Sequence, residues 1–176
     1  GEHQRCIQLC HEALALLQKR PGTSAQQALC LRTLGMAYAD VGQDEQFIAY
    51  TVQALELYRT LPHTERDQAA CLNNLGIAYG RLGQHEARIR VTQQALDLYR
   101  GLEGTEADQA GCLQNLANAH SYLGDTAKMV RLTREALALY EKLQGTEADQ
   151  ADCHINLGVA YRDSDDLAQR AECFLK

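Results

Sequence analysis

Residues 64–104 read TERDQAACLNNLGIAYGRLGQHEARIRVTQQALDLYRGLEG, and residues 105–145 read TEADQAGCLQNLANAHSYLGDTAKMVRLTREALALYEKLQG. These two stretches are identical at 20 of their 41 positions. The same spacing extends in both directions, because cysteine stands at positions 30, 71, 112 and 153. A fixed period of this length is typical of a tandem array of one supersecondary unit.

Within a repeat, the apolar residues recur with the period of an α-helix. Leu72, Leu75, Tyr79 and Leu82 lie three or four residues apart and share one face. Gly83 then interrupts the pattern. The spacing predicts a first helix, helix A, over residues 65–82 and a second helix, helix B, over residues 85–102.

One helix pair cannot bury its apolar face alone, so neighbouring pairs must stack into a continuous core. We therefore predict an all-α fold, an α-α superhelix that forms a right-handed solenoid of antiparallel helix pairs, with nine helices and no strand. The predicted array covers residues 1–176: helix B of an incomplete leading repeat at 1–22, full repeats at 23–63, 64–104 and 105–145, and an incomplete trailing repeat at 146–176.

Neither end of the array has the polar character of a capping repeat. We therefore expect the array to continue beyond this sequence, or to be covered at its ends by another molecule. Apolar side chains left exposed at the terminal helices predict end-to-end self-association.

The connections between helices also follow the repeat. Thr64, Thr105 and Thr146 each precede an aspartate by three positions, which predicts a threonine N-cap at the start of helix A. Glycine stands after helix B at positions 22, 104 and 145, as expected for a left-handed residue. His63 replaces this glycine in the remaining connection, so that connection is predicted to be shaped differently.

A small residue recurs in the middle of helix A, at Gly35, Gly76, Ala117 and Gly158. A larger side chain there would keep helix A away from helix B. These positions are therefore predicted to allow close packing of the two helices.

The recurring cysteines are predicted to be reduced packing residues. Equivalent positions on neighbouring helices lie about 8 to 10 Å apart, which is too far for a disulfide or a shared zinc ion. Cys30, Cys71, Cys112 and Cys153 are therefore expected to be largely buried in a reducing compartment. His3, Cys6 and Cys10 share one helical face, but the repeat places these two cysteines on the inward side, and no metal site is predicted.

The composition argues against several classes of function. The net charge is -6 and the pI is near 5.5, so a nucleic-acid partner is not expected. No stretch is apolar for long enough to span a membrane, and the N-terminus is not a signal peptide. No arrangement of serine, histidine and acidic residues has catalytic spacing. We expect a cytoplasmic protein that is not an enzyme and needs no cofactor.

The repeat resembles the tetratricopeptide repeat, in which a large residue, a Leu-Gly pair and an aromatic residue precede small residues in helix B. The matching positions here are Leu72, Leu75, Gly76, Tyr79, Gly83 and Ala95. The 41-residue period is similar to the long repeats of kinesin light chains and of the Leu-Gly-Asn adaptors of G-protein signalling. Phe47, Arg88 and Met129 depart from the pattern, since the family favours a small residue at that position.

In the tetratricopeptide family the polar face of helix A lines a concave groove, so the resemblance implies a groove that binds an extended peptide or a segment of a protein partner. An asparagine recurs there, and its carboxamide can pair with both the N–H and the C=O groups of a peptide backbone. The alternative is a plain solvated surface. The predicted groove residues are Arg32, Met36, Asn73, Asn74, Ile77, Arg81, Gln114, Asn115, Asn118, Tyr122, Asn156, Val159 and Arg162.

Family members that bind the carboxylate terminus of heat-shock chaperones use several lysines and arginines in the groove. Here only Arg32 is basic among the equivalent positions, so that partner is not expected. Two other functions stay open beside the peptide-binding scaffold. One is a structural or self-associating array, and the other is the sensor segment of a larger multidomain switch protein.

Overall fold

The structure of the chain is a computed structural model, and it describes residues 2–162. Across that range the chain is helical and contains no strand, which confirms the all-α prediction. The ninth predicted helix falls at 163–176, outside the described residues. The eight described helices are α1 (Glu2–Leu17), α2 (Ser24–Asp40), α3 (Asp44–Arg59), α4 (Glu65–Arg81), α5 (His85–Arg100), α6 (Glu106–Tyr122), α7 (Thr126–Tyr140) and α8 (Glu147–Arg162).

The chain divides into two compact units, residues 1–98 and residues 99–176. In the first unit α1 packs against α2, α2 against α3, and α3 against α4. In the second unit α6 packs against α7, and α7 against α8. Short connections join these neighbours, so each helix returns beside the previous one, as in the predicted helix pairs.

Close packing of helix A on helix B depends on glycine in the first unit. A Cβ atom at Gly35 would lie 2.8 Å from the Thr51 hydroxyl of α3. A Cβ atom at Gly76 would collide with the Thr92 hydroxyl of α5. Both glycines therefore have the predicted packing role, whereas the helix B expected opposite Gly158 lies outside the described residues.

The predicted core is largely confirmed, with two corrections. Cys71, Cys112 and Cys153 are fully buried free thiols, but Cys30 is only half-buried. It lies on the side of α2 that packs against α1, with no preceding helix A among the described residues. Leu82 was expected in the apolar stripe but is exposed, because α4 ends at Arg81 and the chain turns away from the core.

The threonines at the start of helix A bond differently from the prediction. Thr23, Thr64 and Thr105 occupy the N-cap positions, yet their side chains make no capping hydrogen bond. Each hydroxyl instead donates to carbonyl oxygens six and three residues upstream; for Thr105 these are Tyr99 O at 2.7 Å and Leu102 O at 3.1 Å. Thr146 bonds in the same way. The hydroxyl therefore bonds to carbonyl groups in the last turn of the preceding helix, one of which also accepts a backbone N–H from three residues further on.

A glutamine four residues after each threonine completes this arrangement. Its Nε2 donates to the threonine Oγ1, at 2.9 to 3.1 Å. The capping-box interpretation failed because the aspartate three positions later takes no part in these bonds. The T-x-x-x-Q spacing was the signal for them, and it recurs at positions 23, 64, 105 and 146.

The prediction of a differently shaped connection at His63 is wrong. His63 has φ of 58°, close to 66° at Gly104 and 74° at Gly22 and Gly145. The chain therefore takes the same left-handed turn with or without glycine. The packing of the helices on either side imposes the turn, and His63 adopts a conformation that costs an L-residue about 1 to 2 kcal/mol.

Candidate functional site

The predicted site residues lie on helices α2 and α4 in the first unit and on α6 and α8 in the second, and each unit is described separately. In the first unit Met36 and Arg81 are exposed, while Arg32, Asn73, Asn74 and Ile77 are half-buried. In the second unit Tyr122, Val159 and Arg162 are exposed, while Gln114, Asn115, Asn118 and Asn156 are half-buried. The thirteen side chains therefore differ in how far they can reach a ligand.

Both arginines among the predicted site residues of the first unit are engaged within the chain. The Arg32 guanidinium lies 3.6 Å from a carboxylate oxygen of Asp67, which joins α2 to α4. Arg81 Nη1 donates to the Ala39 carbonyl oxygen at 2.9 Å and contacts the Asp44 carboxylate at 3.2 Å. Arg81 thereby joins the end of α4 to the end of α2 and the start of α3. These bonds stabilise the stacking of helices, a role that the sequence reading did not assign to them.

Gln114 has a similar role in the second unit. Its Oε1 accepts a hydrogen bond from the Tyr140 hydroxyl at 3.1 Å, and its Nε2 lies 3.3 Å from the Cys153 sulfur and 3.5 Å from the Asp149 carbonyl oxygen. The side chain thus links α6 with both α7 and α8. Arg32 and Gln114 are equivalent in the repeat, and both connect one helix A to the next.

The asparagine position has a different environment in the first unit. Asn74 is half-buried on α4, one turn before Ile77, which packs partly against a core cluster of Ala39, Phe47 and Ala78. Met36 on α2 is 43% exposed. The first unit therefore presents a carboxamide, an exposed thioether and the edge of an apolar cluster on its A helices.

The second unit presents a more apolar surface. Tyr122 on α6 is 73% exposed, and Val159 on α8 is 43% exposed. Ile155, which was not among the predicted site residues, is also exposed. It occupies the repeat position of Gln114, which bonds to the next helix A. Isoleucine has no polar group for such a bond, so its exposure could have been predicted from the sequence.

An aromatic cluster in the first unit was not predicted from the sequence. The rings of Tyr38 and Tyr50 stack with centroids 5.2 Å apart, and His11 Nε2 lies 3.2 Å from the Tyr38 hydroxyl. These residues come from three different helices and hold different repeat positions. Only the tertiary packing of α1, α2 and α3 brings them together.

Histidine in the second unit has a packing environment. His120 stands at the repeat position of Tyr79 and is half-buried, 3.7 Å from the Asp125 carboxylate. Burial lowers the pKa of His120, and the nearby Lys128 lowers it further. Both effects favour the neutral imidazole. The Asp125 side chain also caps α7, because it accepts a hydrogen bond from the Lys128 backbone amide.

Two other classes of site are absent from the described residues. Within residues 2–162, no group of three or more histidine, cysteine or acidic side chains is placed to hold a metal ion. Over the same range, no helix combines the length and the apolar composition that crossing a membrane requires.

Comparison with known proteins gives a family and a fold. Residues 68–108 and 109–149 match a family model described as "Tetratricopeptide repeat". None of the curated protein sequences matches the chain. The matched stretches have the 41-residue period of the repeat, shifted by four residues from the boundaries predicted above.

Solved structures resemble the chain over nearly its whole length. BtubC (BKLC) from P. vanneervenii has a TM-score of 0.88 at 22% identity, covering 98% of this chain and 70% of that one. The nearly identical TPR-like repeats of a Podosopora anserina protein assigned as a kinesin light chain give 0.78 at 18% identity, with 99% and 84% covered. The apo form of RapI gives 0.79 at 16% identity, with 96% and 45% covered. These likenesses establish an all-α helical-repeat solenoid, and its right-handed sense stays a prediction.

Proposed function

Because this chain is a tetratricopeptide-repeat protein, we propose that it is a protein-protein interaction scaffold whose A helices bind an extended peptide segment of a partner. The asparagines Asn74, Asn115 and Asn156 would contact the peptide backbone. Exposed apolar side chains beside them, Met36 in the first unit and Tyr122 and Val159 in the second, would contact its side chains.

The observation that carries the proposal is the recurrence of one amide side chain at one place on successive A helices. All three side chains are half-buried, so part of each one reaches solvent. Such a group offers a donor and an acceptor together, which is the pairing that an extended backbone needs. Recognition of this kind selects the extended conformation more than a particular sequence.

The neighbouring positions narrow the chemistry of the partner. Arg32 and Arg81 already contact Asp67 and Asp44, so these arginines have carboxylates of the chain itself as partners. A peptide that depends on a carboxylate terminus is therefore a poor fit for the first unit. An uncharged extended segment with apolar side chains fits the described surface better.

A displayed library of random peptides tests the proposal. Peptides selected on the chain would be measured against the variant Asn74→Ala, Asn115→Ala, Asn156→Ala. Loss of hydrogen bonds worth about 1 kcal/mol each predicts weaker binding by about 100-fold. Thermal stability should be kept or raised, because alanine is the better helix former.

The matched control replaces two exposed side chains at a recurring position of helix B, Gln53 and Gln94, by alanine. This control should bind the selected peptides as tightly as the parent chain. Unchanged affinity of the triple asparagine variant would reject the proposed site. A fall in melting temperature together with binding would show instead that the asparagines hold the repeats together.

A second candidate function is self-association, and α1 favours it. Leu9 and Leu16 of α1 are exposed, and Cys6, Cys10 and Ala13 are half-buried. The repeat equivalents of Cys6, Cys10 and Ala13 are Phe47, Thr51 and Ala54 on α3, and these three are fully buried. The face of α1 that corresponds to a packed face of α3 is thus available to another helix.

Sedimentation over a wide range of concentration tests self-association. The parent chain should associate as concentration rises, and Leu9→Glu with Leu16→Glu should stay monomeric. A parent chain that is monomeric at millimolar concentration would rule this candidate out.

The proposed location is the cytoplasm, where the free thiols of Cys71, Cys112 and Cys153 would stay reduced. We propose no cofactor and no enzymatic activity.

A further inference from the structure

Three cysteines meet where α1 packs on α2. Cys6 and Cys10 lie on successive turns of α1, and both pack against the core cluster of Ile7, Leu34 and Ala37. Cys30 of α2 places its sulfur 3.2 Å from the Cys10 carbonyl oxygen. Cys6 and Cys30 are also the two thiols that act electrostatically on Cys10. All three side chains are half-buried, in contrast to the fully buried cysteines of the later repeats.

The cluster is open to small reagents on one side. A surface cavity of about 480 Å³ is lined by Cys6, Cys10, Leu9 and Ala13 of α1, with Glu2 and Arg5 at its edge. Cys30 does not line the cavity and lies behind Cys10. A reagent that enters would therefore meet a thiol of α1 first, with Cys30 as the next thiol in reach.

Geometry favours a bond between the helices over a bond within α1. Side chains four residues apart on a helix have Cβ atoms about 5 to 6 Å apart, whereas a disulfide needs about 3.5 to 4.5 Å. A Cys6–Cys10 disulfide would therefore distort α1. Cys30 Sγ already lies 3.2 Å from the main chain of Cys10 where α1 packs on α2, so side-chain rotation brings the two sulfurs within reach of each other.

We propose that Cys10 and Cys30 are a thiol-disulfide modification site that covalently joins α1 to α2. The co-reactant is a small-molecule disulfide such as oxidised glutathione. The Cys10 thiolate attacks one sulfur of that disulfide and releases one thiolate of the co-reactant. The Cys30 thiolate then attacks the Cys10 sulfur of the mixed disulfide and releases the second thiolate. The protein loses two electrons and two thiol protons, and the co-reactant is reduced to two thiols.

The environment of the cluster makes this reaction depend on pH. Burial, together with smaller contributions from the neighbouring thiols of Cys6 and Cys30, raises the pKa of Cys10 to about 11. Burial also raises the pKa of Cys30. Only the thiolate attacks, so the rate should rise by about tenfold per pH unit between pH 7 and 9.

Peptide mapping of the folded chain tests the site. The native protein at low concentration is treated with oxidised glutathione, free thiols are blocked, and the unreduced chain is digested with trypsin. Cleavage after Arg5, Lys19 and Arg32 places Cys6 and Cys10 in peptide 6–19 and Cys30 in peptide 20–32, since the bond before Pro21 resists trypsin. We expect these two peptides to be joined, with the loss of two thiol hydrogens. The oxidised chain should melt at a higher temperature than the reduced chain.

Serine variants identify the atoms involved. Cys6→Ser should still form the link, Cys10→Ser should not, and Cys30→Ser should retain glutathione on peptide 6–19. Circular dichroism shows whether each variant has kept its helices, and Cys30→Ala is the replacement if Cys30→Ser has not. A link between Cys6 and Cys30, a disulfide between two chains, or a stable glutathione adduct without closure in the parent chain would each overturn the proposal.

Discussion

The hydroxyl of Thr105 donates to the carbonyl oxygens of Tyr99 and Leu102, and the Gln109 amide donates to that hydroxyl in turn. The residue is 1% exposed, so water cannot replace these bonds. A donor is therefore needed at this position, and an acceptor would face two carbonyl oxygens. An N-cap side chain accepts a hydrogen bond from a backbone N–H, whereas this threonine hydroxyl donates, so the two roles require different side chains.

Thr105→Asp is the variant that distinguishes the two roles. Aspartate is among the best N-cap residues, but it has no proton to donate at neutral pH. We expect it to destabilise the chain by about 1 to 3 kcal/mol, because the hydroxyl's bonds to Tyr99 O and Leu102 O are lost and a buried carboxylate is placed against those carbonyl oxygens. Urea denaturation measures the loss. Thr105→Ser, which keeps the hydroxyl, should cost clearly less, and an aspartate variant as stable as the parent would restore the N-cap interpretation.

His63 holds a left-handed conformation that three other repeats assign to glycine. We expect His63→Gly to raise the free energy of unfolding by about 0.5 to 1 kcal/mol, after the greater flexibility of glycine in the unfolded chain is taken into account. Gly104→His, the reverse change at the equivalent position, should lower it by a similar amount. Chemical denaturation of the two variants provides the comparison. A destabilised His63→Gly variant would mean that the imidazole makes a contact that outweighs the backbone cost.

At the scale of the element, a hydroxyl on helix B reflects the size of the residue opposite it on helix A. Thr51 and Thr92 face Gly35 and Gly76, and among the described residues their hydroxyls are buried without a hydrogen-bond partner. At the equivalent position in the second unit, Thr133 donates to the Met129 carbonyl oxygen at 2.9 Å. The helix A residue in that repeat is Ala117. Glycine on helix A leaves space that the threonine hydroxyl of helix B fills. Where helix A has alanine instead, the threonine hydroxyl bonds to a carbonyl oxygen of its own helix.

Gly76→Ala should therefore destabilise the chain by about 1 to 3 kcal/mol, as overpacking does in other cores. The double variant with Thr92→Ala should recover most of that loss. Gly111→Ala is the control, because a Cβ atom there has nothing within 4 Å. It should stabilise α6 by about 1 kcal/mol through helix propensity alone. Thermal unfolding of the three variants measures these effects, and a neutral Gly76→Ala variant would show that Thr92 turns freely to the rotamer of Thr133.

At the scale of the whole molecule, the cysteines report how tightly the repeats are packed. Cys71 and Cys112 are fully buried, and burial raises the pKa of each thiol to about 12. Cys153 is also fully buried, and burial raises its pKa. A reagent can attack these thiols only when the helices open.

We expect labelling of the native chain by a thiol-specific reagent to show two classes among the described cysteines. Cys6, Cys10 and Cys30 should react first, and Cys71, Cys112 and Cys153 at least tenfold more slowly, since the latter need local unfolding. Mass spectrometry of the labelled peptides gives the rate at each position. Equal rates at all six would mean that the repeats open together on the timescale of labelling.

Local signals were sufficient for most of the fold. The 41-residue period gave the repeat, and Gly83 with the apolar spacing placed helix A at 65–82 and helix B at 85–102, against Glu65–Arg81 and His85–Arg100 in the structure. Amphipathic periodicity and helix-breaking residues act within a few positions of the chain. They can therefore be read without knowledge of which helices meet.

The candidate site was predictable only in part. The sequence placed thirteen side chains on the polar faces of helices A, because helical periodicity decides which residues share a face. It could not show that Arg32, Arg81 and Gln114 bond within the chain, since their partners Asp67, Asp44 and Tyr140 lie on other helices. Whether a polar group is left for a ligand depends on contacts between elements.

The sequence by itself thus determined the repeat, the helices and the close approach at Gly35 and Gly76, all of which follow from local periodicity and residue size. Tertiary structure decided the direction of the Thr105 hydroxyl, the left-handed turn at His63 and the meeting of Cys10 with Cys30. Each of these depends on where a second helix lies. The Thr105 hydroxyl bonds to the carbonyl groups that packing brings near it, and the connection at His63 follows the helices on either side. The neighbouring residues alone do not encode where those carbonyl groups and helices lie.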